Sequence, residues 1–406
     1  MLARATAVVL VSLSALPSVR LSAQADPLRE RALRILRSTP LIDGHNDLPD
    51  AIRERGGLDS VDIGVSQPRL MTDVPRLRAG GVGAQFWAAY VPVSTMDSGP
   101  HPAVYALEQV DLADRLCRRY PQTFAAARTA ADVRRNFKAG TISCLIGIEG
   151  GHAIENSLGA LRLLAELGVR YMTLTHWRTL DWADAATDSA RHDGLTPFGE
   201  DVVREMNRVG MLVDLSHVSD ATMLDALRVS RAPVIFSHSS ARALSGHVRN
   251  VPDSILRLVP ANGGVVMVNF APFFISDADR VYGNRSRERL EELRRAGADA
   301  GALADSTRAW ATRAPGATLQ QVADHIEHMR DVAGVSHVGL GSDFDGITTV
   351  PRGLEDVSKF PDLVAELLRR GWTEADVKLV VGLNALRVMR EAEDVAAGLQ
   401  KGGSAR

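Results

Sequence analysis

The sequence predicts an α/β protein built as a TIM-type (β/α)8 barrel. Eight short apolar runs recur along the chain: "PLIDGHND", "GAQFWAAYV", "SCLIGIEGG", "RYMTLTHW", "GMLVDLSHV", "APVIFSHSS", "GGVVMVNF" and "HVGLGSDFDG". Amphipathic stretches such as "SLGALRLLAELG", "FGEDVVREMNRVG" and "DATMLDALRVS" separate them. Near-continuous apolar strands alternating with helices imply a parallel sheet covered on both faces. Most runs stop in His, Asp or Glu, and a barrel of this type carries its site at the C-terminal ends of its strands. A doubly wound open sheet is the competing architecture. No glycine-rich phosphate loop follows the first run, which counts against it.

The elements follow in order. The stretch "MLARATAVVLVSLSALPSV" and the small-x-small triplet Ala23-Gln24-Ala25 read as an export signal over residues 1–25, cleaved after Ala25. Ser12, Ser14 and Pro17 break the apolar run, which is short for a membrane span. A single domain is expected over 26–406. Between the seventh and eighth runs, residues 276–318 are charged and partly amphipathic, and they read as a helical insertion on the surface or near the site mouth. The segment "FPDLVAELLRRGWTEADVKLVVGLNALRVMREAED" reads as two helices, with Thr373 the N-cap of the second. His325 and His328 fall outside the strand ends and read as a solvated helix face. Asp43 reads as a cap of the first strand-end turn.

Composition excludes some functions. The chain has 406 residues, 45% of them hydrophobic, enough for a large core. Lys and Arg number 47 against 49 Asp and Glu, and aromatics are 5%, so neither a basic track nor stacking platforms favour a nucleic-acid partner. The two cysteines, Cys117 and Cys144, lie in a helical and a strand pattern and read as packing residues rather than a bridge.

The strand ends carry the chemistry. The first run presents His45 and Asp47, which period-two alternation places on one side. The third ends in Glu149 and His152, the fourth in His176, the fifth in Asp214 and His217, the sixth in His238, and the eighth in Asp343 and Asp345. Solvated strand ends explain one or two ionisable groups, not six ends on one face. Imidazoles with carboxylates suit zinc and similar divalent ions. Three histidines and two acids exceed the needs of one four-coordinate ion with an open position. They suffice for two ions if a carboxylate bridges, and Glu149, followed by Gly150 and Gly151, stands where a bridge is needed. His152 and Asp345 read equally as partners that orient ligands or as loop caps.

These motifs resemble the membrane (renal-type) dipeptidases, the M19 metallopeptidases of the amidohydrolase-like barrels. The matching stretches include "DGHNDLP", "LIGIEGGHAI", "RYMTLTH", "DLSHVS", "APVIFSHSSA", "RNVPD", "GSDFDG" and "GLEDVSKFPDLVAELLRRGWTE", spread from about residue 40 to 390. The resemblance implies two Zn2+ per chain, bridged by Glu149 and a water or hydroxide. His45 and Asp47 would ligate one ion, and His217 and His238 the other. It implies that His176 stabilises the oxyanion, that Arg249 pairs with the substrate carboxylate, and that Asp343 shuttles the proton. The implied partner is a small dipeptide, including one with a C-terminal D-residue, and a homodimer is in keeping with the family. No cysteine stands near the cleavage site to carry a lipid, and no lipid anchor is expected. The chain departs from mammalian relatives at Ala271–Phe274, where they carry a tyrosine, at Arg178, where they carry a disulfide cysteine, and in the insertion, which they lack. A deacylase of N-acyl amino acids on the same barrel, or a binding protein that kept the fold, are the rival functions.

Overall fold

The computed structural model describes residues 26–311 and 313–403; the expected export signal lies outside them. Among the described residues nine parallel strands form one sheet: β1 (Leu41–Asn46), β2 (Val82–Tyr90), β3 (Phe124–Ala126), β4 (Ile142–Glu149), β5 (Val169–Thr173), β6 (Leu212–Asp214), β7 (Ile235–Phe236), β8 (Val265–Val268) and β9 (Val338–Leu340). Their order is β2-β1-β9-β8-β7-β6-β5-β4-β3, and β2 also pairs with β4 over Ala84–Tyr90. That pairing closes eight strands into a barrel, as the eight apolar runs predict. β3 is the addition: its three residues pair with the start of β4 and close nothing. The run that yields it, "TFAAA", is too short to stand out from its helical neighbours.

Side chains alternate along the strands. Ile42, Ala84, Phe86, Leu145, Tyr171, Leu212, Ile235, Val265 and Met267 form one apolar cluster, with Leu386 and Met389 of the C-terminal helix Asn384–Gly403. Leu41, Trp87, Ile146, Ile148, Val266 and Val268 join the larger cluster under the surrounding helices. The barrel is therefore a filled core with the C-terminal helix packed into it, and the strands are buried on both faces as their sequences require. The C-terminal segment is two helical stretches, as expected. Thr373 accepts from Asp376 N at its start, and a π turn over Leu379–Leu383 leads into the final helix. The insertion is helical over Asp277–Arg295 and Ala300–Ala311. Among the described residues no helix is long and apolar enough to cross a membrane.

Three expectations fail. Cys117 and Cys144 are bonded to each other across 27 residues, tying the helix Pro102–Arg119 to β4. Each sits in a regular element with an inward face, which is why the sequence reads as packing; their adjacency is a tertiary fact. His325 is fully buried rather than solvated. Its Nδ1 accepts from Ala241 N at 3.0 Å and its Nε2 donates to Ile275 O at 2.9 Å, so it bolts the helix Leu319–Ala333 to the segments after β7 and β8. His328 pairs with Asp253 at 2.8 Å. Asp43 does not simply cap its own turn: it accepts from Ser342 N at 2.7 Å and Ser342 Oγ at 2.6 Å, joining β1 to the chain leaving β9.

The bridge should be worth about 3–4 kcal/mol by loop entropy. Replacing Cys117 and Cys144 together by serine should lower urea-unfolding stability by that order while leaving activity of the folded protein near wild type. An unchanged urea midpoint would contradict this role for the bridge.

Candidate metal centre

The ionisable residues at the strand ends converge on Glu149, the last residue of β4. Its Oε1 lies 3.0 Å from His217 Nε2, 3.4 Å from His238 Nε2 and 3.6 Å from His176 Nε2. Its Oε2 lies 3.6 Å from His45 Nε2, which is itself 3.3 Å from Asp47 Oδ2. Asp343 completes a third group with His45 and Asp47. The pairing of β1 with β2 is irregular after Asp43, so simple alternation does not carry His45 and Asp47 to the site. The residues around them decide where they point.

Those supports are not evident in the sequence. Tyr171, inside the barrel, places its hydroxyl 2.8 Å from His45 Nδ1. A side chain at Gly147 would stand 2.0 Å from the Tyr171 ring, so this glycine makes room for the phenol. Ser237 Oγ donates to Asp214 at 2.6 Å and stands 2.8 Å from His238 Nδ1. Asp214 is thus a buried tie between β6 and β7, matching Asp43 between β1 and β9. Burial pushes both carboxyls up to about 6 against their hydrogen bonds. Asn269 Nδ2 donates to Asp343 Oδ2 at 2.8 Å. Ser237 adjoins His238, and serine beside a strand-end histidine was a usable signal. Tyr171 carried none, because it reads as one more apolar strand residue.

His217, Asp343 and Asp345 hold φ of 73°, 65° and 66°. Left-handed backbone at residues other than glycine costs roughly 1–3 kcal/mol each and clusters where structure serves function. Gly346 lies against the same acids: a Cβ there would meet Asp47 Oδ2 at 2.2 Å. Asp345 Oδ1 accepts from Met71 N at 2.7 Å, and His152 Nε2 donates to Val91 O at 3.0 Å. Both have the contacts of loop anchors.

The donor set fits divalent cations. His45 Nε2 is buried without a hydrogen-bond partner, and His217 Nε2 and His238 Nε2 stand 3.0 Å apart with one proton at most to share between neutral rings. Four ligand atoms around one zinc ion are separated by about 3.3–3.6 Å, given metal–ligand distances of about 2.0–2.2 Å. Burial pushes the Glu149 carboxyl up, yet the imidazoles of His45, His176, His217 and His238 hold it well below the usual range. Asp47 and Asp343 stay above theirs through burial, with Glu149 adding to each. Burial keeps His217 and His238 neutral, the form that ligates. Three groupings could each hold an ion: His45, Glu149 and His238; Glu149, His176 and His217; and His45, Asp47 and Asp343. His176 thus belongs to one of these groupings.

The cluster floors a cavity of about 320 Å3. Trp177, Tyr90, Phe273 and Phe274 supply apolar walls, and Asp50 and Glu54 add to its acids. Arg249 also lines it. It is 1% exposed, its Nε and Nη1 have no hydrogen-bond partner, and its guanidinium sits 5.4 Å over the Phe274 ring. Burial draws it down to about 10, so it remains a cation.

Removing the Tyr171 hydroxyl should weaken metal binding ten- to a hundredfold, the usual cost of losing a partner that orients a ligand. Chelator competition on Tyr171→Phe measures this; unaltered affinity would contradict the role assigned to the phenol.

The membrane dipeptidase family (Peptidase family M19) matches residues 29–403. The chain is 43% identical over 379 residues to Dipeptidase 3 of Mus musculus, covering 91% of this chain and 68% of the mouse protein. It is 40% identical over 401 residues to Dipeptidase verJ of Clonostachys rogersoniana, covering 95% of this chain and 93% of the fungal one. The fold is that of the probable dipeptidase PvdM of Pseudomonas aeruginosa, with a TM-score of 0.77 at 22% identity over 91% of this chain and 99% of that one. A metallo peptidase of Rhodobacter sphaeroides, solved with a phosphinate mimic of the dipeptide L-Ala-D-Ala, aligns with a TM-score of 0.70 at 27% identity, over 87% of this chain and 99% of that one. The chain belongs to the membrane dipeptidase family M19 and is a metallo-dipeptidase, a hydrolase.

Proposed function

We propose that this chain hydrolyses free dipeptides, including those with a C-terminal D-residue, with two zinc ions held by His45, Asp47, Glu149, His217 and His238. The polarity of the cavity carries the reading. Arg249, a buried guanidinium with unused donors, lines the cavity together with Asp47, Asp50, Glu54, Asp343 and Asp345. A free dipeptide is a zwitterion that offers a carboxylate to this guanidinium and an ammonium to these acids, and a long peptide lacks the nearby carboxylate. The D-Ala in the mimic bound to the bacterial relative supports tolerance of a C-terminal D-residue.

When bound, the two ions supply Lewis-acid polarisation of the scissile carbonyl and make water acidic enough to attack near neutral pH. The chain's own residues do the rest. Glu149 lies between the two ligand groups and serves as the shared carboxylate. Arg249 fixes the substrate carboxylate with its planar donors. Burial draws His176 down to about 3, so it is neutral and offers an N–H to the developing oxyanion. Burial raises the Asp343 carboxyl against His45, and Asn269 aims it, which suits proton transfer from water to the departing amine.

We also infer export with removal of residues 1–25. The leader pattern supports it, and so does the Cys117–Cys144 bridge, since disulfides persist in oxidising compartments. N-terminal sequencing of the exported protein should begin at Asp26; retention of the leader would contradict it.

A panel of L,L and L,D dipeptides and their N-acetylated forms tests the function. Free-amine dipeptides should be cleaved, and chelator should abolish cleavage. Preference for the acetylated compounds would instead indicate a deacylase. Asp343→Asn should lower kcat by about 10^2–10^4-fold, the range of general acid–base catalysis. Arg249→Met should act chiefly on KM; full activity in either variant would contradict the role given to that residue.

A further inference from the structure

A second cleft opens beside the catalytic cavity and shares Trp177 and Phe273 with it. Its volume is about 820 Å3. One wall is the loop Gly246–Val248, immediately before Arg249; another is the insertion helix Asp277–Arg295, through Arg280, Asn284 and Arg287. These three recur at i, i+4 and i+7 and so share a helix face. The helix is held in place: Ser276 caps it, Asp279 accepts from Gly316 N at 2.9 Å, and Tyr282 donates to Trp310 O at 2.9 Å.

Two arginines, Arg280 and Arg287, line the cleft against a single acid, Asp188. Asp277 takes up Arg280 Nε at 2.6 Å, while no carboxylate among the described residues pairs with Arg287. The one acid in the lining, Asp188, accepts from the backbone of Thr179 and Ser189. Burial and then Arg249, Arg287, Arg280 and Arg242 pull the His247 imidazole down to about 3.

We infer that this cleft is a subsite for the side chain of the substrate's carboxyl-terminal residue, and that Arg280 and Arg287 make it select an acidic side chain. The inference rests on the proposed function, because Arg249 is what brings the carboxyl-terminal residue to the loop 246–249. It gives the insertion a task in specificity, separate from the machinery that cleaves the bond.

The experiment compares kcat/KM for Ala-Glu with Ala-Gln and Ala-Ala, in both enantiomers of the second residue. Glutamine matches glutamate in shape and lacks its charge. Wild type should prefer Glu over Gln about tenfold at low salt, and the preference should shrink with ionic strength because the arginines are partly exposed. Arg280→Ala with Arg287→Ala should remove the preference and leave Ala-Gln and Ala-Ala unchanged; Arg287→Glu should reverse it. Cleavage of all three with no preference for Glu, or an equal loss on all three in the double variant, would overturn the subsite and leave the dipeptidase reading standing. Failure to cleave any of them would overturn both.

Discussion

Everything in this molecule turns on one buried carboxylate. Glu149 ends β4 inside a ring of imidazoles, with Asp47 and Asp343 close by. Desolvated acids of like charge repel, and the cost of burying them falls only if cations share the site. The neutral imidazoles of His217 and His238 supply lone pairs for such cations but no positive charge. The arrangement therefore makes chemical sense as a set of ligands and little sense as a packed core. The left-handed backbone at His217 and Asp343 fits the same view: the barrel tolerates local strain where it aims a side chain.

The scaffold serves that carboxylate by making the strand ends rigid. Asp43 with Ser342, and Asp214 with Ser237, are two versions of one device. In each, a buried aspartate of one strand accepts from the backbone N–H and hydroxyl of a serine just past the end of a neighbouring strand. The second device extends to His238 through Ser237, and Tyr171 does the corresponding work for His45 from within the barrel. A site that must hold its groups to within about 0.5 Å needs such supporting contacts, since ligands on free loops would lose the preorganisation that metal binding and catalysis use.

The barrel was legible because both signals that specify it are local. Apolar runs of strand length mark what is buried on two faces, and ionisable residues where those runs stop mark the open end. The residues around Glu149 were legible for the same reason, and their resemblance to a known family sharpened the roles given to them. What the sequence hid is what depends on distant neighbours. Cys117 and Cys144 meet only once helix and strand have packed. His325 is apolar in environment and polar in type, so its position outside the strand ends misdirected the reading. Tyr171 looks like core until His45 is seen beside its hydroxyl. The insertion was visible as a break in rhythm, but its arginines acquire meaning only beside the loop that precedes Arg249.

Two divalent ions held by Glu149 and the four side chains around it, His45, Asp47, His217 and His238, are what the proposed chemistry requires. Elemental analysis of the mature chain, purified with zinc present, measures this directly, together with the Glu149→Gln variant. The wild type should carry about two equivalents, the number a bridged site requires, and the variant a clear deficit. One equivalent or none in a fully active wild type, or two in the variant, would contradict it.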